Sequence, residues 1–131
     1  MANTDNIITL VASEAITEFA LVSVNGAGKA AITDNAIEDN CIGVAQRACS
    51  AGDVVEVVAF GMTRAIAGGN IAPATMNLLM ATTAGKLVAF DGATSKYAVA
   101  RMIPNINQVS AASGDQIKVV FTGPSNLTQI S

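Results

Sequence analysis

The chain contains no histidine and no tryptophan, and its 131 residues include only one tyrosine, four phenylalanines, three prolines and two cysteines. Without histidine the commonest general base and metal ligand is missing, so neither a Ser-His-Asp nor a Cys-His arrangement can be assembled. No enzyme, cofactor or metal is expected. Cys41 and Cys49 cannot by themselves complete a structural zinc site. Met1–Asn6 offers no basic leader, so the two thiols read as small buried hydrophobes rather than a disulfide, in a protein made in a cytoplasm. Scarce aromatics remove the stacking platform for single strands and weaken any reading as a glycan binder. Charge is equally thin. Seven basic and ten acidic residues give a net charge of −3, which provides no counter-charge for a phosphate backbone, so no nucleic acid partner is expected. No apolar run approaches the roughly 18 residues a helical membrane span needs, so no membrane is expected either.

What is present is aliphatic. Hydrophobic residues make up 51% of the chain against 13% charged, with a mean hydropathy of +0.48. The length suits one domain. A core of Val, Ile, Ala and Leu buries less area per residue than one with Phe and Trp, so part of the apolar surface is expected to be hidden by other subunits.

One phrase is written twice. Gly28-Lys29-Ala30, Ile42-Gly43-Val44-Ala45 and Gly52-Asp53-Val54-Val55-Glu56-Val57-Val58 are echoed by Gly85-Lys86-Leu87, Tyr97-Ala98-Val99-Ala100 and Gly114-Asp115-Gln116-Ile117-Lys118-Val119-Val120. The offsets are 57 (85 − 28), 55 (99 − 44) and 62 (114 − 52), which implies small insertions near Ala89 to Tyr97 and a larger one after Ala100. Short β-like runs lie between Gly, Asn, Asp and Ser clusters: Ile7–Val11, Ala20–Val24, Gly43–Arg47, Val54–Phe60, Thr63–Ile66, Lys86–Ala89, Ala98–Ile103 and Gln116–Phe121. In the last, Ile117, Val119 and Phe121 share one face, the period of a half-buried strand. Val55, Val57 and Ala59 take the same phase in the first copy, where Val54 and Val58 make the other face apolar too, as in a central or covered strand. Helix signals are confined to Asp34–Asp39 and to Ala72–Met80, which places Pro73 in a first turn. The expected fold is therefore all-β: a compact β-barrel or sandwich built from a duplicated β unit, with little helix. Residues 1–6 read as a flexible N-terminal arm, 7–122 as a single β domain duplicated at about 20–60 and 78–121, and 123–131 as a C-terminal tail.

Candidate chemistry is sparse. Asp53, Glu56 and Asp115 lie nearest the buried-looking strands, but Gly-Asp before a strand is ordinary turn chemistry. Gly26-Ala27-Gly28-Lys29-Ala30 has the end of a phosphate-loop pattern, yet Ser23 stands where its first glycine belongs and Ala30 replaces the hydroxyl that would hold magnesium. A β-hairpin fits better. Lys29 and Lys86 could also be the presented lysines of a lipoyl- or biotinyl-like carrier domain, although each follows glycine and reads as a turn exit.

The order Ile8-Thr9-Leu10, Ser13-Glu14-Ala15-Ile16, Gly-Lys hairpin, Ile42-Gly43-Val44-Ala45, Ala51-Gly52-Asp53-Val54-Val55-Glu56-Val57 resembles the small capsid cement, or decoration, proteins of tailed bacteriophages. The resemblance runs from about Ile7 to Phe121. It implies a homotrimeric β domain on the capsid exterior of the virion that straddles neighbouring copies of the major capsid protein and stabilises the expanded head against internal DNA pressure. The alternative is a tail or baseplate β module that binds another virion protein or a host glycan. The polar arm leading into Ile7-Ile8-Thr9-Leu10 suits strand addition to a partner, and the long loop 104–114 is the other candidate contact. The expected partner-binding residues are Asn3, Asp5, Ile7, Ile8, Asn105, Ile106 and Asn107.

Overall fold

The computed structural model describes residues 6–34, 41–74, 76–92, 96–104, 106 and 108–125. They form ten strands: β1 (Ile7–Val11), β2 (Leu21–Val24), β3 (Ala30–Ile32), β4 (Cys41–Ala45), β5 (Val54–Val58), β6 (Gly61–Ile66), β7 (Leu78–Ala81), β8 (Leu87–Ala89), β9 (Ala98–Met102) and β10 (Gln116–Ser125). All strand pairs are antiparallel. They make two five-stranded sheets ordered β1-β5-β4-β2-β3 and β6-β10-β9-β7-β8, the same order five strands further on. In each sheet the edge strands approach at one parallel bridge, Ala12 with Ala30 and Ala67 with Leu87. Each sheet therefore curls round its own core without closing into a barrel.

The register shows how the halves correspond. Val22 faces Gly43 in the first sheet and Leu79 faces Ala100 in the second, an offset of 57 (79 − 22; 100 − 43). Ile8 faces Val57 and Thr63 faces Val119, offsets of 55 (63 − 8) and 62 (119 − 57). The Gly-Asp turns are true counterparts. Gly52 and Gly114 have φ of 91° and 92°, a conformation glycine adopts without the Cβ clash other residues suffer. Asp53 Oδ2 accepts from Ser50 N at 3.0 Å, as Asp115 Oδ2 does from Ala112 N at 2.9 Å.

Several sequence expectations need correction. The structural counterpart of Val44 is Arg101, not Val99, because β4 and β9 correspond at 57 rather than 55. A slip of two residues preserves the alternation of faces, so hydrophobic pattern cannot detect it. The small insertion lies between Ile71 and Asn77, not near Ala89 to Tyr97; the five-residue insertion falls in the β9–β10 connection. Ala72–Met80 is not a helix: a turn with one bond from Met76 N to Ala72 O leads into β7. In β7 the residues alternate between half-buried and buried against β8 and β9, and this pairing overrides local helix propensity. Of the other helix candidate, Asp34 lies in no helix and 35–39 are outside the described residues. Strands β3 and β7 were absent from the sequence reading. Residues 123–125 of the expected tail belong to β10.

Two apolar clusters hold the chain together. The smaller lies inside the first curl, with Ala12, Ile16, Val22, Ala45, Val55 and Val57 buried. The larger fills the second curl with Ile71, Leu79, Leu87, Met102, Ile117 and Phe121, and it also takes in Leu21, Cys41 and Val44 from the first sheet. These three point away from the first core, so the outer face of β2 and β4 packs onto the second unit. Gln46 Nε2 donates to Thr63 Oγ1 across this junction at 2.9 Å. The Thr83–Gly85 turn sits so close to β2 that a Cβ on Gly85 would lie 2.9 Å from both Ala20 Cβ and Leu21 N. Cys41 is buried at the junction and Cys49 is half-buried against the first core.

The copies differ at one buried polar pair. Ser23 and Thr33 share a 2.6 Å hydroxyl bond with both side chains buried, where the second unit has Met80 and Phe90 at the 57-residue offset. Replacing Ser23 alone with Ala removes one partner and should cost about 1–3 kcal/mol. Ser23→Ala with Thr33→Val should cost less than the sum of the single changes, because both ends of the bond then go together. Urea denaturation of the three variants measures this coupling.

Candidate interaction surfaces

Three surfaces stand out, and each follows from strand alternation. On β1 and β5 the inward residues Ile8, Leu10, Val55 and Val57 face the first core, so their neighbours Ile7, Val11 and Val54 point outward in register, Ile7 against Val58 and Val11 against Val54. They form an apolar stripe at 46%, 39% and 48% exposure, interrupted on the same face by the Thr9–Glu56 pair and extended beyond Ile7 by Phe60 at 57% and Met62 at 58%. Asn6, Ile7, Val58, Phe60 and Met62 line a hollow of about 320 Å³ there. β1 is an edge strand, paired with β5 alone in its sheet.

The second surface is a groove of about 420 Å³ on the outer face of the second sheet, lined by Leu78, Ala98, Arg101, Ile103, Val120 and Thr122 with Ala100 at its base. The third is the β9–β10 connection. Ile106 is 93% exposed and Val109 68%, beside a shallow hollow at Asn70, Ile71, Ala111 and Asp115.

Of the expected partner-binding residues, Ile7 lies on the exposed stripe, Ile8 is half-buried against the first core, and Ile106 projects from the β9–β10 connection. Asn3, Asp5, Asn105 and Asn107 lie outside the described residues. Among the described residues no strand pairing brings Ile7 and Ile106 together. Sequence reading missed Phe60 and Met62. Both sit where β5 passes into β6, and the sequence pattern of Val54–Phe60 runs on as one strand past Val58, where β5 ends. Val54 and Val58 were the available signal, since a strand apolar on both faces needs cover on both.

Charge enters these surfaces at Arg101 in the groove and at Glu56 on the outer face of β5. Arg47 Nε and Glu56 Oε1 pair at 2.7 Å, and Arg47 also donates to the carbonyl of Val54. The hydrogen bond to Glu56 raises the Arg47 pKa, and the bond from Arg47 lowers that of Glu56. A lowered carboxylate pKa stabilises the fold above its unfolded value and loses that effect as pH falls through the folded one. Both groups are exposed, so solvent screening leaves the effect small. The Gly-Lys hairpins are turns: Asn25 Oδ1 accepts from Ala27 N and Lys29 N, and Thr83 O accepts from Lys86 N. Among the described residues no three His, Cys, Asp or Glu side chains come together.

Two curled, tandem five-stranded sheets of identical strand order define the class: an all-β protein of two like units joined face to end. No protein-family model and no curated protein matches the sequence. Among solved structures, the fold is similar to that of the head fiber gp8.5 N base in bacteriophage phi29, with a TM-score of 0.64 and 18% identity over 91% of this chain and 96% of that one.

Proposed function

We propose that this chain is a structural protein of the tailed-phage virion, bound to the outside of the expanded head as a capsid cement or decoration protein. The observation that carries this reading is the shared two-unit fold: the similar structure is the base of a phage head fiber, and the likeness spans nearly all of both chains. The order of the Gly-Val-Ala and Gly-Asp phrases supports the same reading. Its partners are the major capsid protein and further copies of itself, in a homotrimer on the capsid exterior. The role is mechanical. Each bound copy adds contacts between neighbouring capsid subunits that must break before the shell ruptures, and many weak contacts add through multivalency.

The stripe of Ile7, Val11, Val54, Phe60 and Met62, beside the edge strand β1, is the face we assign to the capsid. Edge-strand backbone and exposed apolar side chains together suit strand addition. Purified protein should co-sediment saturably with expanded, undecorated heads and not with unexpanded proheads. Deleting Ala2–Asp5, or replacing Phe60 and Met62 with Ser, should weaken that binding while leaving the thermal transition in place. Absence of binding to either form of the head would move the assignment to a tail or baseplate module.

A further inference from the structure

The junction between the two units has two complementary halves, and the molecule leaves one copy of each half unused. In the first unit the outer face of β2 and β4 is the covered half: Leu21 and Val44 are fully buried in the shared cluster. Their counterparts on the second unit, Leu78 and Arg101, both at an offset of 57, line the open 420 Å³ groove together with Val120. Leu78 and Val120 are half-buried and Arg101 is exposed. Among the described residues the same sheet position is thus an interface in one unit and an open groove in the other.

The covering half shows the converse. In the second unit Ala65 and Val99 are buried in the cluster that Leu21 and Val44 join. Their counterparts in the first unit, Leu10 and Ile42 (65 − 55; 99 − 57), are only half-buried. The Thr83–Gly85 turn presses on β2, whereas around its counterpart Gly28 a Cβ would meet nothing within 4 Å. Among the described residues the first unit therefore ends with Leu10 and Ile42 half-buried beside the Gly28 turn, and the second with an open groove.

We infer that a second copy of this chain fills the groove, seating the open end of its first unit on the outer face of the second unit and repeating the internal junction between molecules. The contact is heterologous, head to tail, so copies close into a ring if the rotation per copy divides a full turn and otherwise extend as a filament. One pair makes the match specific. Gln46 meets Thr63 inside the molecule; the corresponding pair between molecules is Ile103 (46 + 57) on the groove and Ile8 (63 − 55) on the incoming copy, an apolar contact in place of a hydrogen bond. The contact does not depend on the head-surface role.

Sedimentation velocity of the full chain over a concentration series tests this directly, with no phage component present. The wild type should self-associate. Ile103→Arg, which replaces the apolar partner of Ile8 with a second charge beside Arg101, should weaken association by about tenfold or more with an unchanged melting transition. Should Ile103→Arg fail to fold, cysteine pairing serves instead: Ile8→Cys and Ile103→Cys chains, mixed and oxidised, should give a cross-linked heterodimer that neither gives alone, with Cys41 and Cys49 present in every sample. A wild type that stays monomeric to its solubility limit overturns the inference. So does an oligomer that survives Ile103→Arg, or a mixture that yields no heterodimer.

Discussion

Phe121→Ala should lower the unfolding free energy by about 3–5 kcal/mol, the range for removing a buried phenylalanine, out of a total expected near 5–15 kcal/mol. Phe121 is 1% exposed and belongs to the cluster that contains second-unit residues together with Leu21, Cys41 and Val44 of the first. On β10 it follows Ile117 and Val119 on the inward face, pairing with Gly61 on β6 and Ala100 on β9. Both cross-strand partners are small, so the ring fills space that neither neighbour reaches, and its loss leaves a cavity that strands pinned by hydrogen bonds close only in part. The counterpart in the first unit is Ala59 (121 − 62), so the phenylalanine is a feature of the junction side and not of the repeat. Phe60→Ala provides the control: at 57% exposure it should change stability by less than about 0.5 kcal/mol. Guanidinium denaturation followed by circular dichroism measures both. A cost for Phe121→Ala no larger than that for Phe60→Ala would mean that the ring is not held in the packed second core.

The all-β class was legible because alternation and turn chemistry agreed. Ile7–Val11 was placed with its observed bounds, and the Gly-Asp turns were paired at the observed offset, since glycine at positive φ and the carboxylate bond to Ser50 or Ala112 leave a direct mark on sequence. The phase of β5 against β10 was legible for the same reason. What pattern could not carry was anything invariant to a two-residue shift: β9 aligned two residues early, and the insertion was misplaced. β7 was hidden because Leu78-Leu79-Met80-Ala81 consists of helix-favouring residues, and only its pairing between β8 and β9 makes it a strand. Of the candidate surfaces, the sequence offered Ile7 and Ile8 alike, and only the pairing of β1 with β5 separates the exposed one from the half-buried one. The groove was not, because its meaning lies in the comparison of Val44 with Arg101, and that comparison needs the register.

Gly43→Ala should be the most damaging single-methyl addition in the chain, at about 3 kcal/mol, the upper end of what overpacking a core costs. A Cβ at Gly43 would lie 2.3 Å from Val58 O and 2.4 Å from Val57 Cγ1. The valine methyl could rotate, but the carbonyl is backbone in β5, and β5 is held on both sides, by β1 through Ile7 with Val58 and by β4 through Val44 with Val58. Relief therefore requires a shift of the ladder. The second unit is the internal control, because the residue at the same place, Ala100 (43 + 57), carries that methyl and is buried. There the facing position is Phe121, whose Cα partner is Ala100, so β9 and β10 are set to admit a Cβ where β4 and β5 are not. Ala100→Gly should then cost about 1 kcal/mol, the penalty of glycine's extra unfolded-state freedom. The pair of substitutions separates two accounts of the repeat. If the units were interchangeable in their packing, Gly43→Ala would be tolerated as the methyl is in the second unit. A cost near 3 kcal/mol in one direction and near 1 kcal/mol in the other would show that each unit has tuned its strand spacing to its own side chains, while the order and pairing of strands stayed the same.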